Sequence, residues 1–183
     1  MKCLFFCLLA GVPLWASDSP TLVYFVRHAE KQPGSRDPWL SKAGLQRVNA
    51  LDEFFKHNHL DAIFATEYLR TQQTVAALAH RRGMEVQVIS AFFFDDLLAE
   101  VRDRPGQTLL VAGHSNTVPY LLWLLGAPPF AIEDDQYDNI FLMILAGDTC
   151  TFQRFKVRAD DFDADGGSYW REIETWRLGV LKY

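Results

Sequence analysis

At 183 residues the chain has the length of about one domain, which excludes a large multidomain machine. Hydrophobic residues make up 49% of it and charged residues 22%, a balance that excludes an intrinsically disordered chain. Eighteen Lys and Arg against 23 Asp and Glu give a net charge of -5, which argues against general binding to a nucleic-acid backbone and makes any anion site a local one.

Met1-Lys2 precede an apolar run from Cys3 to Trp15 and then the small residues Ala16 and Ser17. This pattern predicts a signal peptide over residues 1–17, a single domain over 18–183, and a periplasmic or secreted location. The run is shorter than the roughly 20 residues a membrane-crossing helix needs, so no permanent membrane span is expected. Cys3 and Cys7 fall within it. The remaining Cys150, in a strand-like Thr-Cys-Thr-Phe segment, reads as a buried structural thiol.

Leu22 to Val26 is a short continuous apolar run, the mark of a strand buried on both faces, and it ends at Arg27-His28. Ser41 is placed to N-cap a helix carrying Leu45, Val48, Leu51 and Phe55 on one face. Ala62 to Ala65 predicts a second strand, followed by a helix through Arg70, Thr74 and Leu78 that stops at Gly83. Glu85 to Ile89 alternates as a third strand, and Thr108 to Ala112 is a fourth after the Pro105-Gly106 turn. A helix follows from about Thr117 to Leu125, with Pro119 in its first turn, where the missing N–H costs nothing. Asn139 to Leu145 and Cys150 to Val157 read as two strands joined at Gly147-Asp148. Tyr169 to Tyr183 is expected as a helix packed on the body. The alternation predicts a three-layer α/β/α fold around a mostly parallel sheet.

Arg27-His28 and Gly113-His114 each follow an apolar strand directly, and parallel strands share one carboxyl edge, where ligands of open α/β sheets bind. Arg70 lies only a few residues past the second strand and can join them. A lone histidine after a strand is ordinarily a packing or capping residue, and a lone arginine on a helix a solvated one. Two arginines and two histidines at one edge instead make a receptor for a dianionic phosphate, gripped by guanidinium forks. The spacing offers no zinc set: no two His stand at i, i+4 and no Cys pair remains outside the presumed signal peptide, so no metal is expected. His57 and His59 read as surface residues.

Four segments resemble the histidine phosphatase superfamily, which includes phosphoglycerate mutases and small bacterial phosphohistidine phosphatases. Val26-Arg-His-Ala-Glu-Lys31 is similar to its Arg-His-Gly signature, with Ala in the third position. Leu40-Ser-Lys-Ala-Gly44 is similar to its Leu-Thr-x-x-Gly helix start, and residues Ala65 to Thr74 to the segment bearing a second arginine. Val111 to Pro119 resembles the segment bearing a second histidine. The resemblance implies that His28 is a nucleophile forming a phosphohistidine, that Arg27, Arg70 and His114 hold the phosphoryl oxygens, and that neither metal nor cofactor is needed.

It also implies a proton-donating carboxylic acid between Arg70 and His114. Asp95, Asp96 and Glu100 are the candidates there, with Glu30 and Asp138 as further ones. Asp96 matches the family's acid-leucine helix start best, although capping and dipole compensation alone would explain either aspartate. Asp161 to Glu172 has the formal spacing of an EF-hand loop without the helical context that such a loop needs. The reading is an exported phosphatase acting on a phosphorylated small molecule or a phosphoprotein, with an open pocket and little mutase activity. The alternatives are a phosphate-binding module without useful turnover and a cytoplasmic phosphohistidine phosphatase.

Overall fold

The computed structural model describes residues 19–157 and the backbone of residues 173–180. The segments read as a signal peptide and as a formal calcium loop lie outside the described residues. Strands β1 (Thr21–Arg27), β2 (Ala62–Thr66), β3 (Val86–Ile89) and β4 (Thr108–Gly113) alternate with helices α1 (Lys42–Phe55), α2 (Leu69–Arg82) and α3 (Phe94–Arg102). Helix α4 (Thr117–Leu124) then leads into β5 (Asn139–Ala146), β6 (Thr149–Lys156) and β7 (Ile173–Val180).

The sheet runs β3-β2-β4-β1-β5-β6-β7. The first four strands are mutually parallel, and β5, β6 and β7 add on by antiparallel pairing. Alternation along the strands splits the core between the two faces. Val23, Phe25, Leu109 and Val111 meet Leu97, Leu98 and Val101 of α3 and Val118, Leu121 and Leu122 of α4. On the opposite face Tyr24, Val26, Leu110 and Ala112 meet Ala50, Leu51, Phe54 and Phe55 of α1 and Val75, Leu78 and Ala79 of α2. This is the expected three-layer fold.

The caps behave as read from the sequence. The Ser41 hydroxyl accepts from Gly44 N–H, and Gly83 ends α2 in the left-handed region at φ 62°. Two expectations are corrected. Leu45 is exposed, because the buried face of α1 runs through Gly44, Val48, Leu51 and Phe55. Of the tail expected as a helix over 169–183, the described residues 173–180 instead form β7, antiparallel to β6. In sequence Trp176, Leu178 and Val180 alternate with polar or small residues, and an unpaired β6 edge favours that strand periodicity over the helical one.

Gly44 answers a tight fit and not a turn, since a Cβ there would collide with the backbone carbonyl of Glu30. Gly44→Ala is expected to destabilise the fold by about 1–3 kcal/mol, the usual cost of overpacking, as measured by chemical denaturation.

Candidate active site

Parallel pairing of β1 with β4 sets Arg27 opposite Gly113, and the ladder continues with His28 N–H donating to Gly113 O at 2.8 Å. Register alone therefore lays Arg27-His28 beside Gly113-His114 at the carboxyl edge. The two imidazoles meet edge to face with ring centres 5.4 Å apart, and both are buried.

His28 Nδ1 lies 2.8 Å from Ala29 O, an atom that can only accept, so Nδ1 carries the proton in the neutral ring. Nε2 is left with a lone pair. Thr74 of α2 pins this turn: its hydroxyl accepts from Ala29 N–H at 2.9 Å and donates to Arg70 O at 2.7 Å. Burial, reinforced by the charges of Arg70, Arg27 and Lys31, lowers the His28 pKa to about 4 despite the bond to Ala29.

Both nitrogens of His114 are engaged. Arg70 Nη2, which can only donate, lies 3.3 Å from Nδ1, so Nε2 bears the proton and donates to Thr66 Oγ1 at 2.9 Å. Thr66 Oγ1 in turn lies 2.8 Å from Thr71 Oγ1, which donates to Tyr68 O at 2.7 Å. Burial first, and the charge of Arg70 next, lower the His114 pKa to about 3.

The two arginines are held from outside the crevice. Arg70 lies over the face of Tyr68 at 4.4 Å and pairs with Asp37 at 3.4 Å, while Asp37 also accepts from Leu69 N–H at 3.1 Å. Arg27 is buried, stacks on Tyr137 at 4.1 Å, and donates through Nη1 to the carbonyls of Glu133 at 2.8 Å and Asp134 at 3.1 Å. Arg27 Nε and Arg70 Nε are buried without a hydrogen-bond partner, two of only three such side-chain atoms among the described residues. An unpaired buried N–H is costly, and cationic ones beside two histidines fit an oxyanion.

Arg27, His28, Arg70 and His114 are thus brought together as the sequence suggests. Glu30 is not available as a proton donor: Arg47 grips it at 2.7–3.0 Å, and although burial raises its pKa, Arg47 together with a backbone N–H and the charge of Arg27 lowers it overall. Asp95 and Asp96 sit exposed in the first turn of α3, just past the carboxyl end of β3. Glu100 is spent on Arg104 at 2.6 Å, and Asp138 lies 3.7 Å from Lys156 Nζ. His57 and His59 are exposed and Cys150 is buried, as expected. Sequence reasoning missed Asp37, Thr66, Thr74, Tyr68 and Tyr137, which set the ring tautomers and hold the guanidiniums.

Both histidines have pKa values below the 6.5 of an unfolded chain, so the unfolded state binds more protons as the pH falls. Their contribution to stability is present above pH 6.5 and is lost as the pH drops toward about 4 and then 3. Proton NMR titration is expected to show two imidazoles still neutral at pH 5, and denaturation midpoints should fall across this window.

Residues 23–92 match the model of the histidine phosphatase superfamily (branch 1). The fold is shared with several solved phosphatases. Phosphoserine phosphatase from Entamoeba histolytica is 17% identical with a TM-score of 0.53, over 67% of this chain and 90% of that one. The alpha-ribazole phosphatase from Shigella flexneri is 14% identical with a TM-score of 0.55, over 68% and 94%. The protein histidine phosphatase SixA complexed with tungstate is 14% identical with a TM-score of 0.53, over 86% and 96%. No curated protein matches the chain. The family model thus spans three of the four motifs, those up to Thr74, and the solved structures share the fold.

Proposed function

We propose that the chain is a phosphatase that hydrolyses a phosphomonoester or phosphoprotein through a phosphohistidine on His28. The observation that carries this reading is the gathering of the buried, unpartnered Nε–H donors of Arg27 and Arg70 with a buried, neutral His28 whose Nε2 keeps its lone pair. That the SixA structure was solved with tungstate, a phosphate-like oxyanion, supports an oxyanion site on this fold.

In the first displacement His28 Nε2 forms the P–N bond as the P–O bond to the leaving group breaks. The Nδ1 proton stays on the ring, where Ala29 O stabilises the positive charge that the imidazole acquires. The arginines stabilise the equatorial oxygens. The departing oxygen takes a proton from a carboxylic acid, for which the exposed first turn of α3 makes Asp96, with Asp95 beside it, the preferred source. In the second displacement water attacks phosphorus and gives its proton to that carboxylate. The P–N bond breaks and phosphate leaves.

The test is hydrolysis of p-nitrophenyl phosphate and of glycerol phosphate by the purified chain and by Asp96→Asn. Wild type should hydrolyse both, and the variant should lose about 100-fold more rate on the alkyl ester, whose leaving group needs the proton. Phosphate binding with no turnover of either ester would replace the phosphatase by a binding module.

A further inference from the structure

Large aromatic side chains stand exposed at the start of α3 and on α4. Phe92 and Phe93 are 69% and 71% exposed, and Tyr120 and Trp123 about half. A contiguous exposed apolar patch commonly marks a surface that something binds. The ledge is built and not trailing. Ala91 N–H donates to Glu67 Oε2 at 2.8 Å, and the N–H groups of Phe92 and Phe93 donate to Ser90 Oγ at 3.1 and 3.3 Å. Phe94 packs against Tyr120 at 5.3 Å between ring centres, and Tyr120 against Trp123 at 5.7 Å.

Two links connect the ledge to the residues around His114. On one side Glu67, which holds Ala91, precedes Tyr68, whose ring meets the His114 ring edge to face with centres 5.1 Å apart. On the other side α4, which carries Tyr120, starts where Thr117 Oγ1 accepts from His114 N–H at 2.9 Å. The charges along its border are negative: Glu67, Asp95 and Asp96 are all exposed. Such a border disfavours a polyanionic leaving group and an anionic membrane surface alike.

We propose that this ledge of Phe92, Phe93, Phe94 and Tyr120 seats the leaving group, so that the preferred substrate is a phosphomonoester of a bulky, uncharged apolar alcohol and not a sugar phosphate or nucleotide. The proposal rests on the phosphatase reading and names the part of the substrate beyond the phosphoryl group. The ester bond breaks as in the two displacements above, and the ledge contributes only apolar contact.

The experiment compares naphthyl phosphate with acetyl phosphate, which also has a good leaving group but no apolar bulk, in wild type and in Phe92→Ser/Phe93→Ser. The expected result is a fall of about tenfold or more in kcat/KM on naphthyl phosphate and less than about twofold on acetyl phosphate, in line with losing contacts in an apolar site. Calorimetry on wild type supplies an arm independent of turnover and of the variant's folding. Naphthylmethylphosphonate should bind at least about tenfold tighter than methylphosphonate. Equal losses on both esters, or equal affinities for the two phosphonates, would overturn the ledge while leaving the phosphatase standing. Phenylalanine-dependent binding to phosphatidylcholine vesicles, or phenylalanine-dependent dimerisation, with an unchanged substrate ratio would assign the patch to a membrane or a second copy instead. Absence of turnover with tighter binding of the naphthyl phosphonate would sink the phosphatase and keep the ledge.

Discussion

His28→Ala is expected to lower turnover by a factor on the order of 10^4 or more, the scale seen when a nucleophile is removed from a covalent mechanism. Only this residue joins burial, neutrality and a lone pair on Nε2, since both nitrogens of His114 are engaged by Arg70 and Thr66. The loss should appear in kcat, with phosphate affinity largely kept, because Arg27 and Arg70 retain their anchors on the 133–137 segment and on Asp37 and Tyr68. Steady-state kinetics and phosphate calorimetry on the variant measure the two terms separately. Turnover within tenfold of wild type would exclude His28 as nucleophile.

His114→Ala is expected to cost about 100- to 1000-fold in kcat, the range for removing one transition-state donor, while phosphate affinity changes little. In the free chain His114 is neutral and accepts from Arg70 through Nδ1. A bound dianion competes for that guanidinium and favours a proton on Nδ1, so His114 passes from acceptor to cationic donor as the phosphoryl group arrives. Inorganic phosphate should therefore raise the His114 pKa above its low value of about 3, and a proton NMR titration with and without phosphate reads this directly. An unmoved pKa would confine His114 to orienting Arg70 and Thr66.

Most of this site was legible because it depends on strand order and strand ends. Arg27-His28 and Gly113-His114 each close a continuous apolar run, and runs of that kind become parallel, adjacent strands with a common carboxyl edge. Thr74 was visible only as a helix-face residue, since its role depends on α2 reaching the turn after β1. Asp37 and Tyr137 lie in irregular segments with no periodicity to read, and their partners are 33 and 110 residues away in sequence. The tail was misread for a related reason. Trp170, Ile173 and Trp176 have helical spacing locally, while the deciding factor was the open backbone edge of β6, a tertiary fact. Leu45 shows that one apolar residue beside a helix stripe does not define its buried face.

The most direct test of the central claim is chemical trapping. Brief exposure to a radiolabelled aryl phosphate followed by denaturing quench should leave label on the protein that is stable in base and labile in acid, as a phosphoramidate is, and that maps to the peptide containing His28. Label that is acid-stable, that maps elsewhere, or that persists in His28→Ala would contradict the phosphohistidine mechanism.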